Sequence, residues 1–437
     1  MTRLRTFPGG AHPDECKELA EKRAVKRIPA PETVRVALCQ HLGAPSTPVV
    51  KKGDKVTRGQ EIGSQNGFIS LPTHSPVNGT VAGLEEAPLP HRRSGPVVVI
   101  STESEGGGPA FEPWPDFESR TPAELIERIK LAGVCGMGGA SFPTYVKLSP
   151  PPGKKIDTLL LNGAECEPYL TADHRLMIER TEDVAAGMRI LARALCVDDP
   201  AVGIEDNKPD AIEAFGKAGI RVEVLRVKYP QGAEKQLIKA VTGREVPVGG
   251  LPLDIGVVVQ NVGTAAAVAQ AVRDGEPSLR RIVTVSGGGV REPGNFDAAT
   301  GTPFSALIAE AGGYGDDVAR LLSGGPMMGL AQFTDAVPVT KGTSGIVALT
   351  SKEARRLTEG PCIKCAKCVD ACPMKLVPCL IAANSENEKW AAADELGALN
   401  CMACGTCSFV CPSDRFLVHY IKRAQDMIRA SKRSKEA

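Results

Sequence analysis

The spacing of apolar positions changes character along the chain, and each change predicts a different kind of structure. From Thr33 the runs are short and alternating: Val34-Arg35-Val36-Ala37-Leu38, then Lys52 to Val56, Gly59 to Gly63 and His74 to Val81. Turn residues recur every few positions, as a small all-β unit over residues 31–105 requires. Residues 1–30, mixed in charge and ended by Pro29 and Pro31, read as an arm. Ser101 to Asp116, with Gly106-Gly107-Gly108-Pro109, reads as a linker. Leu125, Ile126, Ile129 and Ala132 then fall at helical spacing behind Thr121 as N-cap, Pro122 in the first turn and Glu124 at the third position. Strands expected at 156–162, 201–205, 222–227 and 255–259 alternate with helical patterns, which predicts a mostly parallel α/β sheet over 117–275. Leu251 to Val272 is the most apolar stretch, yet Asp254, Gln260, Asn261 and Gln270 interrupt it, so it reads as a buried strand followed by a helix. From Arg281 a glycine-punctuated hairpin leads into a short helix at Phe304–Ala311, a small α+β unit over 280–350. Residues 351–437 end in a helix whose apolar face carries Leu417, Tyr420, Ile421, Ala424, Met427 and Ile428, with Lys422, Arg423, Arg429, Lys432, Arg433 and Lys435 at its basic end.

A chain of 437 residues implies about three or four domains. With 52 basic against 51 acidic side chains there is no global field to attract nucleic acid or a membrane surface, so partners must be recognised locally. The start, Met1 to Arg5, lacks the apolar core of an export signal. None of the six histidines pairs with another at metal-ligand spacing, and His41 and His74 read as turn residues.

The cysteines carry the strongest chemical signal. Eight of fourteen fall into two copies of one pattern, Cys362-x2-Cys365-x2-Cys368-x3-Cys372-Pro373 and Cys401-x2-Cys404-x2-Cys407-x3-Cys411-Pro412. This is the run that wraps two [4Fe–4S] clusters, the fourth cysteine of each copy serving the other cube. The expected ligand sets are therefore Cys362, Cys365, Cys368 and Cys411 for one cluster, and Cys401, Cys404, Cys407 and Cys372 for the other. Structural zinc calls for facing C-x2-C pairs and no third cysteine with a following proline. A disulfide framework belongs to short secreted chains, whereas free thiolates fit a reducing cytoplasm. Cys379 stands outside the pattern and reads as a small core residue.

A second signal is the turn Gly136-Met137-Gly138-Gly139-Ala140-Ser141-Phe142-Pro143, where glycines let backbone N–H groups approach a phosphate. It is not a G-x-G-x-x-G fingerprint, since Ser141 holds the third place, and no Walker A sequence occurs. Downstream lie Lys147, Asn162-Gly163-Ala164-Glu165-Cys166-Glu167-Pro168-Tyr169, Tyr229-Pro230-Gln231-Gly232-Ala233-Glu234 and Asn261-Val262-Gly263-Thr264.

These blocks, in this order, resemble the FMN- and NADH-binding subunit of respiratory complex I and, more closely, the RnfC subunit of the Rnf electron-transport complex. Gly9-Gly10-Ala11-His12-Pro13 and Gln40-His41-Leu42-Gly43-Ala44-Pro45 extend the resemblance over nearly the whole chain. The resemblance implies a multidomain α/β plus α+β protein. It has an N-terminal barrel-sandwich hybrid, a Rossmann-like FMN-binding α/β domain, an SLBB-type β-grasp domain and a C-terminal two-cluster ferredoxin-like helical domain. The sandwich resembles biotinyl and lipoyl carriers, but no lysine lies between Gly59 and Gly79 to carry a group, so a docking or structural role is expected.

By the same resemblance, Gly136, Gly138, Gly139 and Lys147 hold the FMN phosphate and ring, while Asn162 and Glu165 meet the ring's polar edge. Gly232 and Glu234 line the side facing NADH, Asn261 and Thr264 close on the ribityl phosphate, and Phe142 stacks on a nicotinamide or adenine. Glu165 and Glu234 are the candidate catalytic carboxylates. The complex I relatives carry Tyr-x-x-Gly-Glu-Glu where this chain has Ala233 before Glu234, and another residue at the place of Cys166.

The chemistry joins the two signals. NAD(H) exchanges electron pairs as hydride, clusters take single electrons, and a flavin can do both. The expected activity is that of a peripheral subunit passing electrons between NADH, FMN and two [4Fe–4S] clusters in an NADH:ferredoxin-type oxidoreductase coupled to ion transport. It would sit on the cytoplasmic face of the membrane, held by the other Rnf-type subunits and meeting a ferredoxin-like partner only indirectly. The competing expectations are a non-catalytic relay with a decayed flavin site, and a related flavin/iron–sulfur cobalamin reductase.

Overall fold

In a computed structural model of the chain, residues 4–354 and 358–436 are described. The N-terminal β unit is a four-stranded antiparallel sheet, ordered Thr33–Ala37, Arg92–Ser104, Asn78–Leu89, Lys55–Val56, facing a three-stranded one of Thr47–Pro48, Glu61–Ser64 and Thr73–His74. Its long hairpin, Asn78–Leu89 with Arg92–Ser104, reaches into the segment read as a linker. Strand alternation explains its stability. Val98 and Ile100 join Val34, Val36, Ile62 and Val81 in one core, while Val97 and Val99 turn to the other face against Ala37, Cys39 and Leu89.

The Pro122–Leu131 helix opens with a capping box: Glu124 N–H donates to Thr121 Oγ1 at 3.3 Å, and Thr121 N–H donates back to Glu124 Oε2 at 2.8 Å. It leads into a four-stranded sheet ordered Arg221–Leu225, Ala201–Glu205, Thr158–Gly163, Val257–Asn261, with every pairing parallel. Helices cover it, and those at Thr181–Leu195 and Val262–Val272 approach so closely that a Cβ on Gly187 would lie 1.8 Å from Ala265 O. Only glycine fits there.

The third unit is a six-stranded sheet ordered Val25–Arg27, Gly294–Ala299, Arg280–Ser286, Gly345–Leu349, Arg320–Ser323, Leu330–Gln332, with a helix at Phe304–Glu310. Its edge strand comes from the N-terminal segment read as an arm, which adds in parallel to Gly294–Ala299. The same segment also bridges Arg5 to Leu225 and Ala11 to Tyr229 on the α/β unit. It is therefore a strap across two units.

The C-terminal domain is helical, closed by the Leu417–Glu436 helix, whose Leu417, Ile421, Ala424 and Ile428 are buried. Met427 departs from expectation and is 45% exposed, because the buried stripe runs through Ala424 and Ile428 instead. Arg423 and Lys432, read as part of a basic end, pair with Glu388 and Asp394 at 2.6 and 2.8 Å.

Candidate flavin and iron–sulfur sites

The parallel sheet reverses its winding between Thr158–Gly163 and Val257–Asn261, since the next two strands after the first continue to one side and the fourth returns to the other. Ligands of such sheets bind outside the carboxyl ends of the strands at this switch point. Asn162 and Asn261 end these neighbouring strands in direct register. Both candidates therefore stand side by side at the crevice mouth.

The glycine turn closes over the same place. A Cβ on Gly138 would lie 2.7 Å from Asn261 Nδ2, whereas one on Gly139 would meet open space. Gly136 N–H donates to Phe142 O at 2.8 Å, which folds the turn, and Met137 N–H donates to Thr264 Oγ1 at 2.9 Å, which anchors it to the Val262–Val272 helix. Thr264 thus holds the turn, and Asn261 caps the helix by accepting from Gly263 N–H at 2.8 Å. Phe142 itself is half-buried.

Lys147 and Glu234 are brought together: Nζ donates to Oε1 at 2.7 Å and to Val259 O at 3.2 Å. Asn162 Nδ2 donates to Gly232 O at 2.7 Å, and Gly232 N–H donates to Cys166 Sγ at 3.2 Å. The Glu165 carboxylate receives the N–H groups of Asp173 and His174 at 2.7 and 3.2 Å, so it caps the Ala172–Glu179 helix with both oxygens.

Several residues here carried no sequence signal. Asp173 accepts from Asn261 Nδ2 at 2.6 Å, and burial, then the charge of Glu165, push its carboxyl up to about 6. The buried Arg281 guanidinium donates to Met137 O and Thr343 O at 3.0 Å each, tying the glycine turn to the β-grasp unit. Glu167 accepts from Met327 and Met328 N–H at 3.1 and 2.9 Å, and burial pushes it up to about 7.

The donor set suits a flavin mononucleotide. Among the described residues Gln231 Nε2 and Oε1, Gln260 Nε2 and Asp173 Oδ1 are buried without a hydrogen-bond partner. Gln231 and Gln260 adjoin Gly232 and Asn261 in the chain. Unpaired buried amides of this kind are what a polar ring edge can satisfy.

The cysteines fall into two groups. One cavity is lined by Cys362, Cys365, Cys368 and Cys411, together with Cys379. Cys379, the second residue of the Pro378–Glu386 helix, therefore borders this group and is only partly buried. In the other group burial, and then the neighbouring Cys401, Cys404 and Cys372, push the Cys407 thiol up. Burial likewise lifts Cys401 to about 11.

The two groups face different ways. The group containing Cys372 abuts the α/β unit, where Tyr229 Oη donates to Cys404 O at 2.8 Å and Gln236 Nε2 to Pro373 O at 3.2 Å, and the N-terminal strap, where Gly10 N–H donates to Ala371 O at 2.8 Å. The other group opens outward, with Cys362 and Cys365 exposed.

Comparison with known proteins gives the same order of units. The models of the RnfC barrel sandwich hybrid domain, the Nuo51 FMN-binding domain, the SLBB domain and the 4Fe-4S dicluster domain match residues 5–105, 129–270, 282–331 and 355–430. The chain is 45% identical over 436 residues to the C-subunit of the Na(+)-translocating ferredoxin:NAD(+) oxidoreductase complex of Acetobacterium woodii, covering 98% of each. It is 43% identical to the proton-translocating counterpart of Clostridium ljungdahlii, covering 98% of this chain and 95% of that one. The C-subunit of the ion-translocating oxidoreductase complex of Rhodobacter capsulatus is 44% identical over 382 residues, 85% of this chain and 73% of the relative.

Proposed function

The chain belongs to the RnfC family, the C-subunits of Rnf-type ion-translocating ferredoxin:NAD(+) oxidoreductase complexes, and from that premise we propose that it exchanges electrons between NADH and its membrane partners through FMN and two [4Fe–4S] clusters. The observation that carries this reading is the switch-point crevice standing directly against one of two cysteine groups through Tyr229 and Gln236.

When bound, FMN exchanges an electron pair with a nicotinamide and single electrons with the clusters. The chain's own residues supply the rest. The backbone N–H groups of Gly138 and Gly139 would receive the phosphate, in a turn that Gly136 folds by donating its own N–H to Phe142 O, with the Lys147 ammonium as the counter-charge. Asn162 and Glu165 would meet the ring's polar edge at the strand ends, Asn261 would close on the ribityl phosphate, and Thr264 keeps the turn closed through Met137. Gly232 leaves room on the NADH-facing side, where Glu234 presents its carboxylate and Phe142 an aromatic face. Cys401, Cys404, Cys407 and Cys372 hold the cluster nearer the crevice. Cys362, Cys365, Cys368 and Cys411 hold the outer one.

The outer group is where partners meet the chain. Ile363 is 63% exposed in the ligand loop, Leu380 and Phe416 are also exposed, and Lys364 and Lys367 stand beside them. We assign this face to the next electron-carrying subunit, which would hold the chain at the cytoplasmic side of the membrane. No helix among the described residues is long and apolar enough to cross a bilayer.

Anaerobic reconstitution tests the function. One flavin and about eight irons per chain, with flavin absorbance bleached by NADH, are expected. Clusters without flavin would sink it.

A further inference from the structure

Two lysines from different parts of the chain grip one segment of the crevice wall. Lys17, in the N-terminal strap, is 6% exposed and donates to Glu165 O, Glu167 O and Leu170 O at 2.8, 3.0 and 2.6 Å. All three N–H donors of its ammonium are used. Lys208, 1% exposed, donates to Ala164 O at 2.9 Å and is held by Glu205 at 3.2 Å and Asn207 at 2.9 Å. Residues 164–170 need such holding. Glu165 and Tyr169, neither of them glycine, sit at φ 48° and 67°, where a side chain is strained.

The grip also fixes which way the peptides face. In a trans peptide the C=O and the following N–H point in opposite directions. Carbonyls of Ala164 and Glu165 drawn to the lysines therefore turn the N–H groups of Glu165 and Cys166 away from them. Among the described residues neither N–H has an acceptor. The same segment is fastened to the crevice by Cys166 Sγ, which receives Gly232 N–H, and by the Glu165 carboxylate on the Ala172–Glu179 helix.

We propose that Lys17 is a positioning residue for the flavin: with Lys208 it holds the carbonyl side of residues 164–170 so that the Glu165 and Cys166 N–H groups face the isoalloxazine's polar edge. This rests on the crevice being the FMN site. Two N–H donors aimed at the ring favour its reduced, electron-rich form, so their loss moves the flavin potential to more negative values.

The test uses the full chain with clusters reconstituted. Lys17→Met is compared with Lys26→Met, a control in the same strap whose 2.7 Å partner Glu310 is exposed. Lys17→Met is expected to speed hydrogen exchange at residues 164–170 in the flavin-free protein, weaken FMN binding about tenfold and lower the flavin midpoint potential. Iron content stays at the wild-type value, and Lys26→Met changes none of these. Lys17→Gln, neutral but keeping two N–H donors, carries the test if Lys17→Met does not fold, and is expected to lose part of the affinity. Wild-type FMN affinity and potential in the Lys17 variant, or an equal loss in Lys26→Met, overturns the inference. A wild-type chain that binds no FMN overturns the crevice reading itself, a separate and recognisable failure.

Discussion

The Tyr229 hydroxyl donates to the backbone carbonyl of Cys404 at 2.8 Å, so the flavin unit touches a cluster ligand through one hydrogen bond. Tyr229 is 2% exposed, and three residues later Gly232 meets Asn162 at the crevice. A single short segment thus spans from cluster to flavin site. Tyr229→Phe leaves a buried carbonyl unsatisfied and should cost about 1–3 kcal/mol in chemical denaturation. It should also shift the EPR signal of the cluster held by Cys401, Cys404, Cys407 and Cys372 while sparing the other, since hydrogen bonding around a cluster sets its properties. Identical spectra would remove Tyr229 from the electron path.

The crossed ligand sets make a prediction that uncrossed ones contradict. Cys411→Ala should erase the same EPR signal as Cys362→Ala, and Cys372→Ala the same as Cys404→Ala, each variant retaining about four irons. Cys379→Ala, although it borders the outer group, should keep both signals. Loss of a signal in Cys379→Ala, or pairing of Cys411 with Cys404 instead, would redraw the sites.

Glu167 makes stability pH-dependent in a specific direction. Its carboxyl is lifted from 4.5 to about 7 because burial outweighs the two N–H groups it accepts. Between those values the folded chain keeps a proton that the unfolded chain releases, so this contribution is full below pH 4.5, declines as pH rises to about 7 and is flat beyond. Asp173, lifted from 3.8 to about 6, acts in the same sense over a lower window. Urea titrations stepped from about pH 5 to about pH 8 should show a shallower decline in Glu167→Gln than in the wild type. An unchanged slope would show that Glu167 titrates normally.

Lys147 and Glu234 form an ion pair whose side chains are 30% and 37% exposed. Such pairs add about 0–1 kcal/mol to stability. Lys147→Ala should therefore fold normally yet bind FMN at least about tenfold more weakly, as loss of a charge-assisted phosphate contact implies. Equal FMN titrations in variant and wild type would take Lys147 out of the phosphate site.

What the sequence revealed and concealed follows from how local each signal is. The cysteine runs were legible because ligand spacing is a matter of a few residues. The strand end near Asn162 was legible because an apolar run stops there, and the Thr121–Glu124 cap because both partners lie within one turn, whereas the strand expected at 255–259 is shifted to Val257–Asn261. Lys17 was not legible: it holds carbonyl oxygens about 150 residues away, and a carbonyl has no residue type. The Val25–Arg27 strand was concealed for the same reason, since a strand added at an edge is recruited by backbone groups that any sequence supplies. Arg281 and Glu167 likewise act on backbone groups of other units. Contacts of side chain to distant backbone are where sequence reading stops.

The outward face of the ferredoxin-like domain is the last consequence. On the proposed function, electrons that reach the outer cysteine group leave where a partner approaches Cys362 and Cys365, both exposed. Ile363 between them is 63% exposed, an apolar anchor of the kind that carries binding energy at the centre of an interface. Ile363→Asp should leave NADH bleaching of the flavin and the EPR signal of the inner group intact in the isolated chain, because Ile363 lines the outer group's cavity and touches neither crevice nor inner group. In the assembled complex it should slow electron exchange about tenfold, and the neighbouring Lys364→Glu should do so most strongly at low salt. If both variants sustain wild-type exchange in the complex, the partner docks elsewhere and the outer group is not the exit.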